Sequence, residues 1–198
     1  GAYIREVFVS RFDGGHILSV DYAQIELRVL AHMSEDEDMI NAFLSGEDFH
    51  TETASTIFSK DISEVTKEER RAAKAINFGI VYGMSAWGLS ESIGVSPKEA
   101  DQYIKMYFKK HENVDKFLKT VVSNAKEEGF TKTMYNRVRY IPELKSMNKT
   151  IYQFGERTAM NAPIQGSAAD IMKIAMVKVS DAMKNNNLKS LLMAQVHD

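Results

Sequence analysis

The sequence contains no cysteine, which excludes a disulfide framework and any thiolate metal site. It has no apolar run long enough to span a bilayer and no charged-then-apolar leader, so a soluble protein with no membrane partner is expected. It also lacks a strong net charge: 25 basic against 27 acidic residues leave −2. Any affinity for a polyanion must then come from local patches. Such patches exist. Residues 34–69 carry eleven acidic residues against Lys60 and Lys67, whereas 131–160 carry six basic residues against Glu143 and Glu156. What is present is ordinary for a globular chain: 198 residues at 44% hydrophobic can bury a real core. The chain starts on Gly1 and stops on an apolar run ending His197-Asp198, so it reads as an excerpt of a longer polypeptide.

The most informative stretch is Thr66 to Gly83, TKEERRAAKAINFGIVYG. Thr66 with Glu69 three residues later is a capping-box signature, and no proline interrupts residues 67–83, which predicts a helix. Arg70, Lys74, Phe78 and Tyr82 recur every fourth residue and therefore share one face. From Arg70 to Tyr82 the helix rises about 18 Å, on the order of the length of a nucleoside triphosphate. Two cations at the end where the helix dipole also favours anions suit a triphosphate tail, and Phe78 suits a base or sugar. The flank of Ala72, Ala75, Ile76 and Ile80 is expected to pack down. The same stripe also reads as two solvated cations above two core aromatics, and spacing alone does not separate these readings.

Before this helix, Ile4–Val9 and Ile17–Val20 read as short strands joined by a turn at Asp13-Gly14-Gly15. The second strand runs into Asp21-Tyr22-Ala23-Gln24-Ile25-Glu26, where the pattern becomes helical. Asp21 reads either as a helix N-cap with Gln24 as capping-box partner or as a carboxylate at a strand end. Helices are expected to about His32, over Glu37–Leu44 and over Phe49–Phe58, the last containing His50. After the central helix come a short helix around Trp87, one opened by Ser96-Pro97 that buries Ala100, Tyr103, Ile104, Tyr107 and Phe108, and one over Val114–Lys126 stopped by Gly129. Residues 130–142 alternate as an extended segment. A helix over Thr150–Asn161 is expected to end before Pro163, and another, with Ile171, Ile174, Ala175 and Val179 packing, to run from Gly166 to about Lys184. Arg157, Asn161 and Gln165 form a polar row, of the kind that reads acceptors in a DNA minor groove or merely faces water. Ser190–Val196 reads as a buried strand ending on His197-Asp198.

The string RRAAKAINFGIVYG resembles the fingers helix of family A DNA polymerases almost letter for letter. SVDYAQIELRVLAH resembles the first catalytic motif of that family, with Ala23 in place of the commoner serine. ERTAMNAPIQGSAADI is similar to its primer- and template-tracking segment, and Val196-His197-Asp198 to the start of its third motif, whose next residue, a glutamate, does not occur here. The Gly-Arg-Arg turn of relatives stands here as Asn136-Arg137-Val138: asparagine tolerates a left-handed backbone, but Val138 removes one phosphate-contacting charge. The resemblance covers essentially the whole chain.

It implies a mostly helical α+β fold. Palm segments at 1–33 and 131–198 would contribute a short antiparallel sheet, with helical fingers at 34–130 that include helix 67–83. It implies template-directed addition of deoxynucleoside triphosphates to a primer, with two Mg²⁺ ions held by Asp21 and Asp198. Arg70 and Lys74 would neutralise the triphosphate, Lys74 would aid pyrophosphate departure, and His50 would reach the same phosphates. Phe78 would stack on the incoming nucleotide, and its lack of a hydroxyl predicts discrimination against 3′-deoxy nucleotides. Tyr82 would lie by the templating pair, Glu26 would exclude a 2′-hydroxyl, and Gln24 completes the substrate-binding set. Arg157, Asn161, Gln165, His197 and Arg137 would contact primer–template DNA. The parent is expected to be a monomer, cytoplasmic and nucleoid-associated if bacterial or phage-borne, whereas these 198 residues alone are expected to be inactive. Two other readings are a single-subunit RNA polymerase, which Glu26 and Phe78 oppose, and a DNA- or nucleotide-binding fragment without turnover.

Overall fold

The computed structural model describes residues 6–195. Eight α-helices and one two-stranded hairpin form among them: α1 Ile25–Ser34, α2 Glu37–Ser45, α3 Phe49–Phe58, α4 Lys67–Val81, α5 Ala86–Ile93, α6 Pro97–Lys110, α7 Glu112–Glu128, β1 Phe130–Lys132, β2 Val138–Tyr140 and α8 Lys149–Asn185. This is the mostly helical α+β class expected, with a short antiparallel sheet. Capping chemistry sets the boundaries. Thr66 accepts from Glu69 N while the Glu69 carboxylate accepts from Thr66 N, and Ser96 and Glu99 repeat the box at α6. Gly94 and Gly129 stop α5 and α7 in the left-handed conformation.

The core lies where α1, α3, α4, α6 and α7 meet, built on Leu27, Leu30, Phe49, Ile76, Tyr107 and Val114. α4 buries Ala73, Ile76, Asn77, Gly79, Ile80 and Val81 there, and its opposite edge carries Arg70 and Lys74 out to solvent. Ala72 and Ala75 are only half-buried, so the packed flank is rotated slightly from the one expected. In α6, Ala100 and Tyr107 are fully buried, and Tyr103, Ile104 and Phe108 pack against the same cluster. A second, smaller core of Ala125, Ile141, Leu144 and Ala159 ties α7 and the hairpin to α8.

Four expectations are corrected. Residues 6–9 and 17–20 form no strand: only the turn survives, with Gly14 at φ +64° and Gly15 N donating to Phe12 O. Residues 190–195 are likewise irregular and exposed rather than a buried strand. Val7, Phe8, Val9, Leu18, Leu191 and Met193 have no apolar layer beneath them among the described residues, and short strands without one are marginal. The sheet that does form pairs Phe130 with Tyr140, Thr131 with Arg139 and Lys132 with Val138. Its connecting turn sets Asn136 at φ +61°, as the asparagine allows.

The third correction is α8, which runs unbroken through Pro163. A proline inside a helix removes one backbone donor and costs about 3 kcal/mol. Here Pro163, Ile164, Ser167 and Ala168 are all buried together, and Ser167 Oγ donates to the Pro163 carbonyl at 2.6 Å. Packing outweighs the local penalty. The distal end of α8 is the converse: Ile174 and Val179 are exposed, not packed. Fourth, Asp21 neither ends a strand nor caps α1. Gln24 occupies the N-cap position at φ +56° and makes no side-chain cap bond, which leaves Asp21 exposed in the segment leading into the helix.

Candidate functional site

Arg70, Lys74, Phe78 and Tyr82 all lie on α4 or its C-cap, the cations exposed and the rings half-buried. Phe78 and Tyr82 stack with centroids 6.4 Å apart and planes 19° apart. The stripe has neighbours that spacing could not reveal. Arg70 is held by Asp48, the N-cap of α3, through Nε to Oδ2 and a second contact from its terminal nitrogen to Oδ1 at 3.2 Å. Burial pushes the Asp48 carboxyl up, but the Arg70 guanidinium and the Thr51 hydroxyl overcome it and hold it at about 2. Lys74 makes no ion pair among the described residues. It is therefore the cation of this face most available to an incoming anion.

His50 sits beside the stripe, its ring 6.0 Å from that of Phe78. It is 2% exposed. Burial lowers its pKa most; Asp48 pulls the other way, and Arg70 and Lys74 lower it further, to about 4. The imidazole is neutral at pH 7. The unfolded chain takes up this proton first, so the contribution of neutral His50 to stability is complete above about pH 6.5 and lost as pH falls toward about 4. Asp48 acts in a lower window, its contribution present above the ordinary carboxylate range and lost as pH falls through about 2. Urea unfolding of wild type and His50→Gln across pH 4 to 6.5 is expected to show a steeper acid decline for wild type. Parallel curves would contradict the assignment.

At the other end of α4, Tyr82 Oη donates to Glu26 Oε2 at 2.8 Å, joining α4 to the first turn of α1. Glu26 is 8% exposed. Gly83 comes next at φ +62°, and a Cβ there would lie 2.8 Å from Met160 Cε and 3.2 Å from Arg157 Cγ. The left-handed backbone and the nearby Arg157 stem both favour glycine where the end of α4 meets α8. The junction opens a groove of about 480 Å³, in which Tyr82 faces Arg157, Asn161 and Gln165, with Arg137, Arg139 and Lys132 along the hairpin side. Four cations and no acid line it. Asn161 Oδ1 and Thr131 Oγ1, both on this lining, are buried without a hydrogen-bond partner among the described residues. Arg137 is anchored by Asp170 Oδ1 at 2.8 Å and the Gly166 carbonyl at 2.9 Å.

The structure thus brings Arg157, Asn161 and Gln165, read from the sequence as one polar row, into a groove with Arg137, and keeps the α4 residues on the one face expected. Sequence reasoning missed Asp48, Asn77, Thr53, Lys132 and Arg139. Of these, Asp48 carried a signal as an aspartate directly before the helix expected from Phe49, and Arg139 as a second cation two residues from Arg137. His197 and Asp198 lie outside the described residues. Among the described residues no group of three or more His, Asp or Glu forms a metal cluster. No helix among them is long and apolar enough to cross a membrane.

The family model for DNA polymerase family A matches residues 1–198. The chain belongs to DNA polymerase family A. Among its relatives, DNA polymerase I of Caldicellulosiruptor bescii is 52% identical over all of this chain, and DNA polymerase I of Bacillus subtilis 49% identical. The chain spans only 23% and 22% of those family A proteins. A solved structure, the POL domain of Pol1 from M. smegmatis in complex with DNA primer-template and dNTP, matches 90% of this family A chain with a TM-score of 0.85 at 47% identity. The match covers 31% of that structure.

Proposed function

We propose that this chain is the nucleotide- and DNA-binding part of a family A polymerase whose parent polypeptide carries out template-directed DNA synthesis in replication or repair. Residues 1–33 and 131–198 are its palm segments and 34–130 its fingers. The observation that carries this reading is the junction at Tyr82. A cationic and aromatic face sized for a nucleotide runs into a groove whose four cations and absence of acids suit a nucleic acid. The solved relative's binding of DNA primer-template and dNTP supports both partners.

In this reading the triphosphate lies along α4. Lys74 contacts it directly, Arg70 exchanges part of its interaction with Asp48 for phosphate, and Lys74 steadies the departing pyrophosphate. Phe78 stacks on the incoming sugar and base, and Tyr82 bears on the templating pair. Gln24 and Glu26, at the start of α1, bound the sugar side of the pocket. Asp21, with His197 and Asp198 further along the chain, approaches the primer terminus. Asp21 is a solvent-facing carboxylate, a hard oxygen donor that suits Mg²⁺, and residue 198 is also an aspartate. Two such ions, when bound, supply a lowered primer-hydroxyl pKa and neutralisation of the charge that develops at the α-phosphate. The parent is proposed to act as a monomer in the cytoplasm.

Incubating the parent protein with primer–template, Mg²⁺ and each nucleotide in turn tests this reading. Extension with the complementary deoxynucleotide is expected, and its absence would overturn the proposal. Glu26→Ala is expected to raise ribonucleotide incorporation about 10²-fold, because a buried carboxylate held by Tyr82 no longer blocks the 2′-hydroxyl. Single-turnover selectivity reads this out, and an unchanged ratio would remove Glu26 from the sugar pocket. Arg157→Ala is expected to weaken primer–template binding about tenfold at low salt and to flatten its salt dependence. Fluorescence anisotropy titrations at several salt concentrations check this.

A further inference from the structure

Asn77 lies within the Thr66–Gly83 stretch but off the stripe of Arg70, Lys74, Phe78 and Tyr82, and it is completely buried at the α3–α4 interface, beside His50 and Thr53. Its Nδ2 lies 2.9 Å from His50 Nδ1 and 3.1 Å from Thr53 Oγ1. Thr53 donates its single hydroxyl proton to the Phe49 carbonyl at 2.8 Å, so its oxygen meets the amide as an acceptor. One NH₂ group with two hydrogens therefore serves two acceptors. Asn77 Oδ1 lies 3.2 Å from the same Thr53 oxygen, so the reversed amide would keep one donation but lose the His50 acceptor for its second hydrogen, and a buried N–H without an acceptor costs more than spare acceptor capacity. With Nδ1 accepting, the one proton of the neutral ring resides on Nε2.

We propose that Asn77 is a positioning residue that holds His50 in the neutral Nε2–H tautomer, so that the ring presents an N–H donor to the phosphates of a nucleotide bound along α4. The proposal rests on the reading of α4 as the nucleotide face. The alternative tautomer would turn a lone pair toward phosphate oxygen and repel it. A protonated ring would add a third cation beside Arg70 and Lys74 and would be drawn to Asp48, which already holds Arg70. The groups facing His50 are Asp48, Arg70 and Lys74, and the cations oppose protonation while Asp48 favours it. Asn77 resolves that contest by placing a donor where the second ring proton would have to sit.

Long-range ¹H–¹⁵N correlation of histidine-labelled parent polymerase tests this, with His50→Gln identifying the resonance. The Nε2–H pattern is expected at neutral pH, with the Nε2 signal moving when dNTP is added to the primer–template complex. Asn77→Leu is expected to abolish the tautomer preference and raise the KM for dNTP about tenfold with kcat little changed. Asn77→Asp keeps the size but only accepts, and is expected to draw the proton onto Nδ1. In a His50→Gln background, Asn77→Leu should produce no further rise in KM, whereas a general packing role would still produce one. An Nδ1–H pattern in wild type, or an unchanged tautomer in both Asn77 variants, would overturn the proposal while leaving polymerisation untouched. Failure of wild type to extend a primer would instead remove the reading on which it rests.

Discussion

Lys74→Ala in the parent polymerase is expected to slow nucleotide incorporation about 10³-fold, in the range lost when one preorganised contact to developing charge is removed. Lys74 projects from α4 into solvent and forms no ion pair among the described residues, so its charge supports no other part of the fold. Arg70 differs because Asp48 already engages it: its contribution to phosphate binding is the difference between two partners. Arg70→Ala should accordingly cost less in rate than Lys74→Ala, and also loosen the α3–α4 contact. Thermal unfolding separates the two effects. The midpoint should hold for Lys74→Ala, and rapid-quench incorporation should carry the whole defect. A rate within the wild-type range would mean that the triphosphate does not lie on this face.

Asp21→Ala is expected to lower kcat about 10³-fold or more, since a carboxylate that holds a catalytic cation contributes to transition-state stabilisation rather than to substrate binding. Asp21 is exposed and caps nothing: α1 begins at Ile25 with Gln24 at its N-cap. Its loss therefore carries little folding cost, and dNTP and DNA affinity should be nearly unchanged. A second readout is Mn²⁺ affinity in the primer–template complex, which should weaken in Asp21→Ala as well as in Asp198→Ala. Full activity in Asp21→Ala would show that the carboxylate does no more than face water.

The periodic features of this chain were legible because they depend on neighbours along the helix. The i, i+4 stripe of α4, the capping boxes at Thr66 and Ser96, and the row of Arg157, Asn161 and Gln165 all appear as spacing predicts. What escaped was set by contacts between distant segments. Arg70 with Asp48, His50 with Asn77, and Tyr82 with Glu26 join residues 22, 27 and 56 positions apart. No local pattern encodes such pairs. Pro163 shows the same limit from the other side: the backbone preference is real, but a buried face on both sides of the proline carries the helix through it. The segments at 17–20 and 190–195 alternate or run apolar like strands. Strand pairing needs a partner edge and a covering layer, and neither is supplied among the described residues.

The most direct test is a crystal structure of the parent polymerase with primer–template and a non-hydrolysable dNTP. The nucleotide phosphates should lie against Lys74 and Arg70, with the base pair on Tyr82 and the duplex in the groove of Arg157, Asn161 and Gln165. Phosphates bound elsewhere, with the face of α4 still turned to water, would contradict the account.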